Sequence, residues 1–215
     1  MSEAKISSTE AVRYGWKTTM ANLRPLLVLS AIGALLALFE GALGRSAEPL
    51  AGLSRLVVQA LQIGLAMLWT KAALTLHDGG KLEAPLVTGR LGGYFTYLLT
   101  WVVYVLIVAV GLVLLVVPGV IWAIELGFAG FAAVDKKLDP IEALKASRAL
   151  TAGRKKQLFV FGLLLFAVNL AGALAFGIGL MVTVPTTFLA AAWMYRKLEA
   201  QAHVPFVPAA AVPQT

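Results

Sequence analysis

The stretch LGGYFTYLLTWVVYVLIVAVGLVLLVVPGVIWAI, residues 91–124, contains no charged side chain in 34 positions. A helix needs about 20 mostly apolar residues to cross a bilayer, so this run is long enough for most of two crossings. A second run, residues 157–195, has no charge in 39 positions. Uninterrupted apolar segments of this length predict helices that are surrounded by lipid.

The composition of the whole chain agrees with this prediction. Hydrophobic residues make up 60% of the 215 positions and charged residues 13%, whereas soluble domains carry about 25% charged residues. The absence of cysteine excludes disulfides, thiolate metal sites and a cysteine nucleophile. The net charge of +7 does not indicate a nucleic-acid partner, because the basic residues border the apolar segments and form no separate domain.

Apolar runs and turn residues together predict an all-α membrane bundle of about six transmembrane helices, arranged as three hairpins. Pro118-Gly119 and Gly177-Ile178-Gly179 are the predicted outer turns of the second and third hairpins. The transmembrane domain is predicted over residues 25–198. Its spans are expected at about 25–44, 50–76, 92–117, 120–134, 157–176 and 180–195.

The N-terminal residues 1–24 are predicted to contain an amphipathic helix that lies in the membrane interface. Ser7 and Glu10 have the spacing of a capping box, and tryptophan beside basic residues suits the headgroup region. The predicted apolar face consists of Val12, Trp16, Thr19 and Leu23.

A short cytoplasmic helix is predicted at 140–152, between the fourth and fifth spans. Asp139 is a suitable N-cap, Pro140 a suitable first residue, and Glu142 completes a second capping box. Gly153 is placed to end this helix. The C-terminal tail, 199–215, is rich in proline and alanine and is predicted to be disordered.

The distribution of positive charge predicts the orientation. Of the 18 lysines and arginines, all but Arg45 and Arg55 lie before the first span, in the second and fourth connections, or after the sixth span, counting Lys71 with the second connection. Positive residues stay in the cytoplasm. Both termini are therefore expected in the cytoplasm.

Few polar groups lie at membrane depth, and these are the candidates for an intramembrane site. A carboxylate there costs a few kcal/mol, so it pairs, protonates or faces water. The amides are weaker candidates, since they can simply bond across helices. The structural alternative pairs Glu40 with Arg45 or Arg55, and Glu125 with Arg55 or the glutamines. The candidate set is Glu125, Asn169, Gln59, Gln62 and Glu40.

A basic cluster after the fourth span is a candidate contact for anionic lipid, at about 1 kcal/mol per charge. It consists of Lys145, Arg148, Arg154, Lys155 and Lys156. His77 and Asp78 are adjacent and are not expected to face each other. No metal site, catalytic residue or cofactor is predicted, because the two histidines are far apart and no phosphate-binding loop is present.

Several motifs are similar to those of a known family. They include PGVIW at 118–122, FAAVD at 131–135, DPIEALKAS at 139–147, Leu150-Thr151 with Gly153-Arg154, and Gly15-Trp16. Over roughly residues 8–198 the chain resembles a bacterial family of six-helix membrane proteins. That family is related to YciC-like proteins and to the membrane domain of some glycerophosphoryl diester phosphodiesterases. The resemblance implies a bundle in the bacterial plasma membrane with both ends inside. In those phosphodiesterases the hydrolase is a separate domain, and the segment after Tyr195 is too short to form one, so phosphodiesterase activity is not expected.

Three kinds of function remain open. The first is a non-enzymatic accessory protein, scaffold or lipid-associated bundle, with membrane lipids, a second copy or another membrane protein as its partner. The alternative is a small transporter or channel with a polar site around Glu125, which requires Asn169 and the glutamines to converge on it. The third is a membrane-embedded lipid enzyme, for which no catalytic set is visible. We therefore expect the protein not to be an enzyme.

Overall fold

The computed structural model describes residues 7–43, 49–82, 91–175 and 177–202. Within those ranges the chain is helical and has no β-strand, so the prediction of an all-α bundle is confirmed. The nine helices found there are α1 (Ser8–Ala21), α2 (Leu23–Leu43), α3 (Pro49–His77), α4 (Leu91–Leu114), α5 (Val116–Leu126), α6 (Ala129–Lys136), α7 (Pro140–Thr151), α8 (Lys155–Leu174) and α9 (Leu180–Gln201). The predicted disordered tail, 199–215, was wrong at its start, because α9 continues to Gln201. The part of it from His203 onward lies outside the described residues.

Among the described residues, five segments are long and apolar enough to cross a membrane: Leu23–Ala42, Gly52–His77, Gly93–Leu114, Val116–Lys136 and Lys155–Leu174. They correspond to the first five predicted spans. The sixth predicted span, in α9, is not among them. Three threonines, counted over positions 180–195, and three charged residues near its end make α9 less apolar than the others.

The outer surface of the bundle is apolar. Leu35 and Leu38 on α2, Leu106 and Val113 on α4, and Phe166 on α8 each expose more than half of their surface. Exposed apolar area costs about 25 cal/mol per Å² in water, and no such cost arises in hydrocarbon. The pattern identifies a helical bundle built for a lipid environment.

Helix α9 lies at the centre of the bundle and packs against α1, α2, α3 and α8. Leu189, Ala190, Met194 and Tyr195 on it are almost completely buried. Helix α9 can be less apolar than the other long helices because most of its surface contacts other helices instead of lipid.

Proline in the interior of α9 leaves a backbone carbonyl without its usual partner, and another helix supplies the replacement. Pro185 has no N–H to donate to the carbonyl of Met181, four residues earlier. The Ser30 hydroxyl of α2 donates to that carbonyl at 2.9 Å. The Thr186 hydroxyl donates to the Val182 carbonyl at 2.7 Å. The Met181 and Val182 carbonyls of the proline turn thus both accept side-chain hydrogen bonds inside the protein.

Helix α1 packs directly on α9, and the face that it buries differs from the predicted one. Its buried residues are Ala11, Gly15 and Thr19, spaced four apart, while Trp16 is half-exposed. The predicted N-cap is confirmed, since Ser7 accepts from the Glu10 N–H at 3.4 Å. The predicted apolar face was wrong in placing Trp16 with Thr19. Small residues are buried instead because they allow the two backbones to approach closely.

The turn between α4 and α5 lies at Leu115, three residues before the predicted Pro118-Gly119 turn. Pro118 lies in the first turn of α5, where a missing N–H costs nothing. A β-carbon on Gly119 would collide with the Leu112 backbone. Gly119 therefore serves the close packing of the hairpin, and the proline begins a helix instead of forming the turn. The predicted turn of the third hairpin is confirmed, because Gly177 lies between α8 and α9 and has a φ of +75°.

Candidate functional site

The predicted fourth span is broken into α5 and α6, and side chains of α7 satisfy the break. The carbonyl of Glu125 accepts from the hydroxyls of Ser147 at 2.8 Å and Thr151 at 3.2 Å. The Phe128 N–H donates to the Ser147 hydroxyl at 3.1 Å. Open backbone groups at membrane depth cost several kcal/mol, so α7 is a structural part of the bundle.

Helix α7 occupies the predicted place but differs from the prediction in two respects. Asp139 is the N-cap residue, yet its side chain makes no cap hydrogen bond. The predicted capping box was therefore wrong there. Ala143, Leu144 and Ala146 are buried, so α7 is packed against the bundle, which the prediction of a short cytoplasmic helix did not include.

The Glu125 side chain is 7% exposed and forms ion pairs with two cations. The Arg148 Nε lies 3.3 Å from its Oε2, and Lys155 Nζ contacts its Oε1. Arg148 belongs to α7 and Lys155 begins α8. The expected pairing with Arg55 or the glutamines was wrong, because the charges after the fourth span fold back over the end of α5.

Both cations expose their outer surfaces although they share a buried carboxylate. The Arg148 side chain is 72% exposed and that of Lys155 48%. Lys145 and Lys156 are also exposed, and Arg154 is half-buried. We call these five residues the basic cluster. One carboxylate within contact does not neutralise five positive charges, so the cluster attracts anions.

Three of the four other predicted polar residues have partners away from Glu125. Gln62 Nε2 donates to the Glu40 carboxylate at 2.5 Å, and Asn169 Nδ2 donates to the Thr187 hydroxyl at 3.3 Å. Gln59 is half-buried on α3. The structure therefore joins Glu40 with Gln62, but it gives Glu125 and Asn169 different partners. The convergence that a transport path requires is not formed among these side chains.

A second charged site, which we call the Arg196 network, was missed by the sequence analysis. The Arg196 guanidinium lies 2.6 Å from Asp78 Oδ2, 2.8 Å from Asp135 Oδ2 and 2.9 Å from Glu199 Oε2. Lys136 Nζ lies 2.7 Å from Glu199 Oε1. The network joins the ends of α3, α6 and α9. The sequence contains one indication of this network. Asp78, Asp135 and Arg196 each follow an apolar segment, and the six-span topology ends these three segments at the same membrane surface.

The network shifts the pKa of two carboxyls in the direction expected for ion pairs. Burial would raise the pKa of Glu199, but hydrogen bonds from Lys136 and Arg196 outweigh it and hold that pKa below its ordinary value. Burial also opposes ionisation of Asp78, and hydrogen bonds from Arg196 and His77 lower its pKa. His77 Nδ1 lies 3.3 Å from Asp78 Oδ1, so the expectation that these neighbours do not meet was wrong.

Neither site has the composition of a metal or cofactor site. Among the residues that the structure describes, no three His, Asp or Glu side chains come together around a possible metal ion. Both sites pair carboxylates with Arg and Lys, whose positive charge opposes a cation.

The fold and these sites define a class, the polytopic helical membrane bundle. Comparisons with family models, curated proteins and solved structures gave no match for the chain.

Proposed function

We propose that this protein is a non-enzymatic membrane bundle that associates with anionic lipid through its basic cluster. We expect this site at the cytoplasmic face of a bacterial plasma membrane, because the charge distribution and the family resemblance favour that location. The observation that carries the proposal is the pairing of buried Glu125 with exposed Arg148 and Lys155. The ion pairs hold two cations at fixed positions while their outer surfaces stay free for a headgroup.

Fixed cations bind a phosphate group more favourably than free ones, because less side-chain entropy is lost on binding. Arg148 adds a planar group of donors that matches a phosphate in two hydrogen bonds. The neighbouring Lys145 and Lys156 are exposed and increase the local positive potential. Each charge near an anionic surface contributes about 1 kcal/mol.

Lipid binding can be measured by native mass spectrometry of the full-length protein released from nanodiscs. The nanodiscs contain either phosphatidylcholine alone or an equal mixture with phosphatidylglycerol. The double variant Lys145→Gln with Lys156→Gln is expected to bind phosphatidylglycerol about thirtyfold more weakly than the wild type, because it removes two charges. The matched control is Arg13→Gln with Lys17→Gln, which removes two exposed cations from α1.

Equal loss in both double variants would mean that only net charge matters and would contradict a site at the basic cluster. Unchanged retention in both would contradict the lipid role altogether. A transporter or channel is less well supported, since the polar residues it requires have separate partners.

A further inference from the structure

A cleft of about 200 Å³ lies between α3, α4, α6 and α9, beside the break that follows α5. Its walls include the aromatic rings of Tyr97, Trp101, Tyr104 and Phe188. An engineered cavity of about 150 Å³ stays dry and binds benzene. This cleft therefore has room for the end of an apolar molecule, but not for a whole membrane lipid.

The mouth of the cleft opens between two segments that are long and apolar enough to cross a membrane. Of its lining residues, Trp101 and Gly127 are exposed at the protein surface. Trp101 is within the apolar segment Gly93–Leu114 and Gly127 within Val116–Lys136. A molecule enters such a mouth from the hydrocarbon phase, so the ligand is itself lipid-soluble.

The hydroxyl groups that line the cleft have unequal hydrogen-bonding capacity. Thr70 donates its proton to the Ala66 carbonyl at 2.9 Å, and Thr100 donates to the Thr96 carbonyl at 2.7 Å. Because the Thr70 proton is used, the contact of 3.4 Å with the Tyr97 hydroxyl has Tyr97 as its donor. These three oxygens keep only lone pairs for a ligand.

The hydroxyl of Tyr104 is the exception. It makes no hydrogen bond within the described part of the chain, so it keeps both its proton and its lone pairs. The lining thus offers several acceptors and one donor. None of the lining residues that the structure describes carries a charge.

From this inventory we infer that the cleft binds the hydroxyl end of a neutral, apolar alcohol. A ligand hydroxyl both donates and accepts, so it can donate to a threonine oxygen and accept from Tyr104. A carboxylate or phosphate would be buried there without a cation, which is unfavourable. A plain hydrocarbon fits the rings but leaves the Tyr104 hydroxyl unpaired. The ligand is therefore distinct from the anionic lipid proposed for the basic cluster.

Photolabelling tests this site with the full-length protein in phosphatidylcholine nanodiscs. The probe is hexadecan-1-ol with a diazirine beside the hydroxyl, and labelled peptides are identified by mass spectrometry. Labelling is expected in residues 97–104 and 126–131. An excess of unlabelled hexadecanol should suppress it there, while labelling of the lipid-facing residues 159–166 of α8 should persist.

Competition in the wild type tests the hydroxyl itself and requires no variant. Hexadecane and palmitate are each expected to compete at least about fivefold less well than hexadecanol, the effect of one hydrogen bond. Tyr104→Phe should weaken hexadecanol competition by a similar factor and leave hexadecane unchanged. The control is Tyr94→Phe. Tyr94 does not line the cleft, and its hydroxyl donates to the Ala60 carbonyl at 2.7 Å.

The inference is overturned if hexadecane or palmitate competes as well as hexadecanol. It is also overturned if labelling of residues 97–104 is not suppressed by excess alcohol. Neither result bears on the basic cluster, because this experiment contains no anionic phospholipid.

Discussion

The hydroxyl of Ser30 donates to the main-chain carbonyl of Met181, which Pro185 leaves without an intrahelical partner. This single contact of 2.9 Å joins α2 to the proline turn of the central helix α9. It accounts for how a proline is accommodated inside a buried helix. It also explains why a serine is buried in the middle of α2, where its neighbours in sequence are apolar.

Ser30→Ala is expected to destabilise the protein by about 1 kcal/mol, because the Met181 carbonyl is then buried without a donor. Unfolding in mixed dodecyl sulfate micelles, followed by circular dichroism, measures the change. In a Pro185→Ala background, residue 185 has an N–H that can donate to the Met181 carbonyl. The same serine substitution should then lower the stability only slightly. An equal cost in both backgrounds would show that the serine acts in some other way.

Gly15→Ala is expected to destabilise the bundle by about 1–3 kcal/mol, the range for overpacking. A β-carbon at position 15 would collide with the Thr186 carbonyl and lie 3.0 Å from the Ala190 nitrogen. The two backbones cannot separate without opening the α1–α9 contact. The same unfolding measurement applies.

Gly162→Ala is the matched control for this substitution. Gly162 is also within a helix, but a β-carbon there would meet no atom within 4 Å. Alanine should stabilise α8 by up to about 1 kcal/mol through its helix propensity. Equal effects at positions 15 and 162 would contradict the close crossing of α1 and α9.

Removing the charge of Glu125 is expected to lower the stability of the protein less than removing the charges of both its partners. Glu125→Gln leaves Arg148 and Lys155, which are largely exposed and can be solvated, so the loss should be about 1 kcal/mol. Arg148→Gln with Lys155→Gln leaves a buried carboxylate unpaired, which costs about 3–5 kcal/mol. Adding Glu125→Gln to this double variant removes the unpaired carboxylate and should restore most of the lost stability. The reverse order in unfolding experiments would refute the assignment of the carboxylate as the buried partner.

The Arg196 network should make stability depend on acidic pH. The pKa values of Asp78 and Glu199 are lowered in the folded protein from ordinary values of 3.8 and 4.5. Their contribution is therefore complete above those ordinary values and is lost as the pH falls through the lower, folded-state values. Arg196→Gln should flatten this part of the pH profile, measured by unfolding at constant ionic strength.

Arg13→Gln serves as the control, since Arg13 is an exposed cation on α1. That variant should keep the wild-type slope between about pH 3 and pH 5. A profile that changes equally in both variants would attribute the acid dependence to net charge.

A reporter after Thr215 tests whether α9 crosses the membrane. Arg196 near the end of α9 contacts Asp78 after α3 and Asp135 near the end of α6, so these three helices end at one level. We therefore expect six crossings and a cytoplasmic C-terminus. A phosphatase that is active only outside the cytoplasm should remain inactive at this position. Activity there would favour five crossings, the number of segments that are apolar enough by composition alone.

The positions of the long helices could be predicted because membrane crossing depends on local composition. Residues 91–124 and 157–195 contain no charge, and helices α4, α5, α8 and α9 account for most of them. The predicted starts and ends were shifted by a few residues where two helices meet closely. Leu115 is an example, because the position of that turn depends on how α5 packs against α4.

The partners of the polar groups could not be predicted in the same way. Glu125 and the residues Arg148 and Lys155 were each singled out from the sequence, but as members of two separate sites. They meet only because α7 folds back over the end of α5. Arg196 was not singled out, since a cation after an apolar segment is ordinary for membrane topology.

The break between α5 and α6 has a consequence for biogenesis. The hydroxyls that satisfy it, Ser147 and Thr151, lie more than twenty residues downstream of Glu125. As the ribosome delivers the chain from its N-terminus, α5 and α6 emerge before α7 exists. During that interval the span carries an open carbonyl that hydrocarbon cannot solvate. We therefore expect this pair of half-helices to reach its final packing only after α7 has been synthesised and has docked.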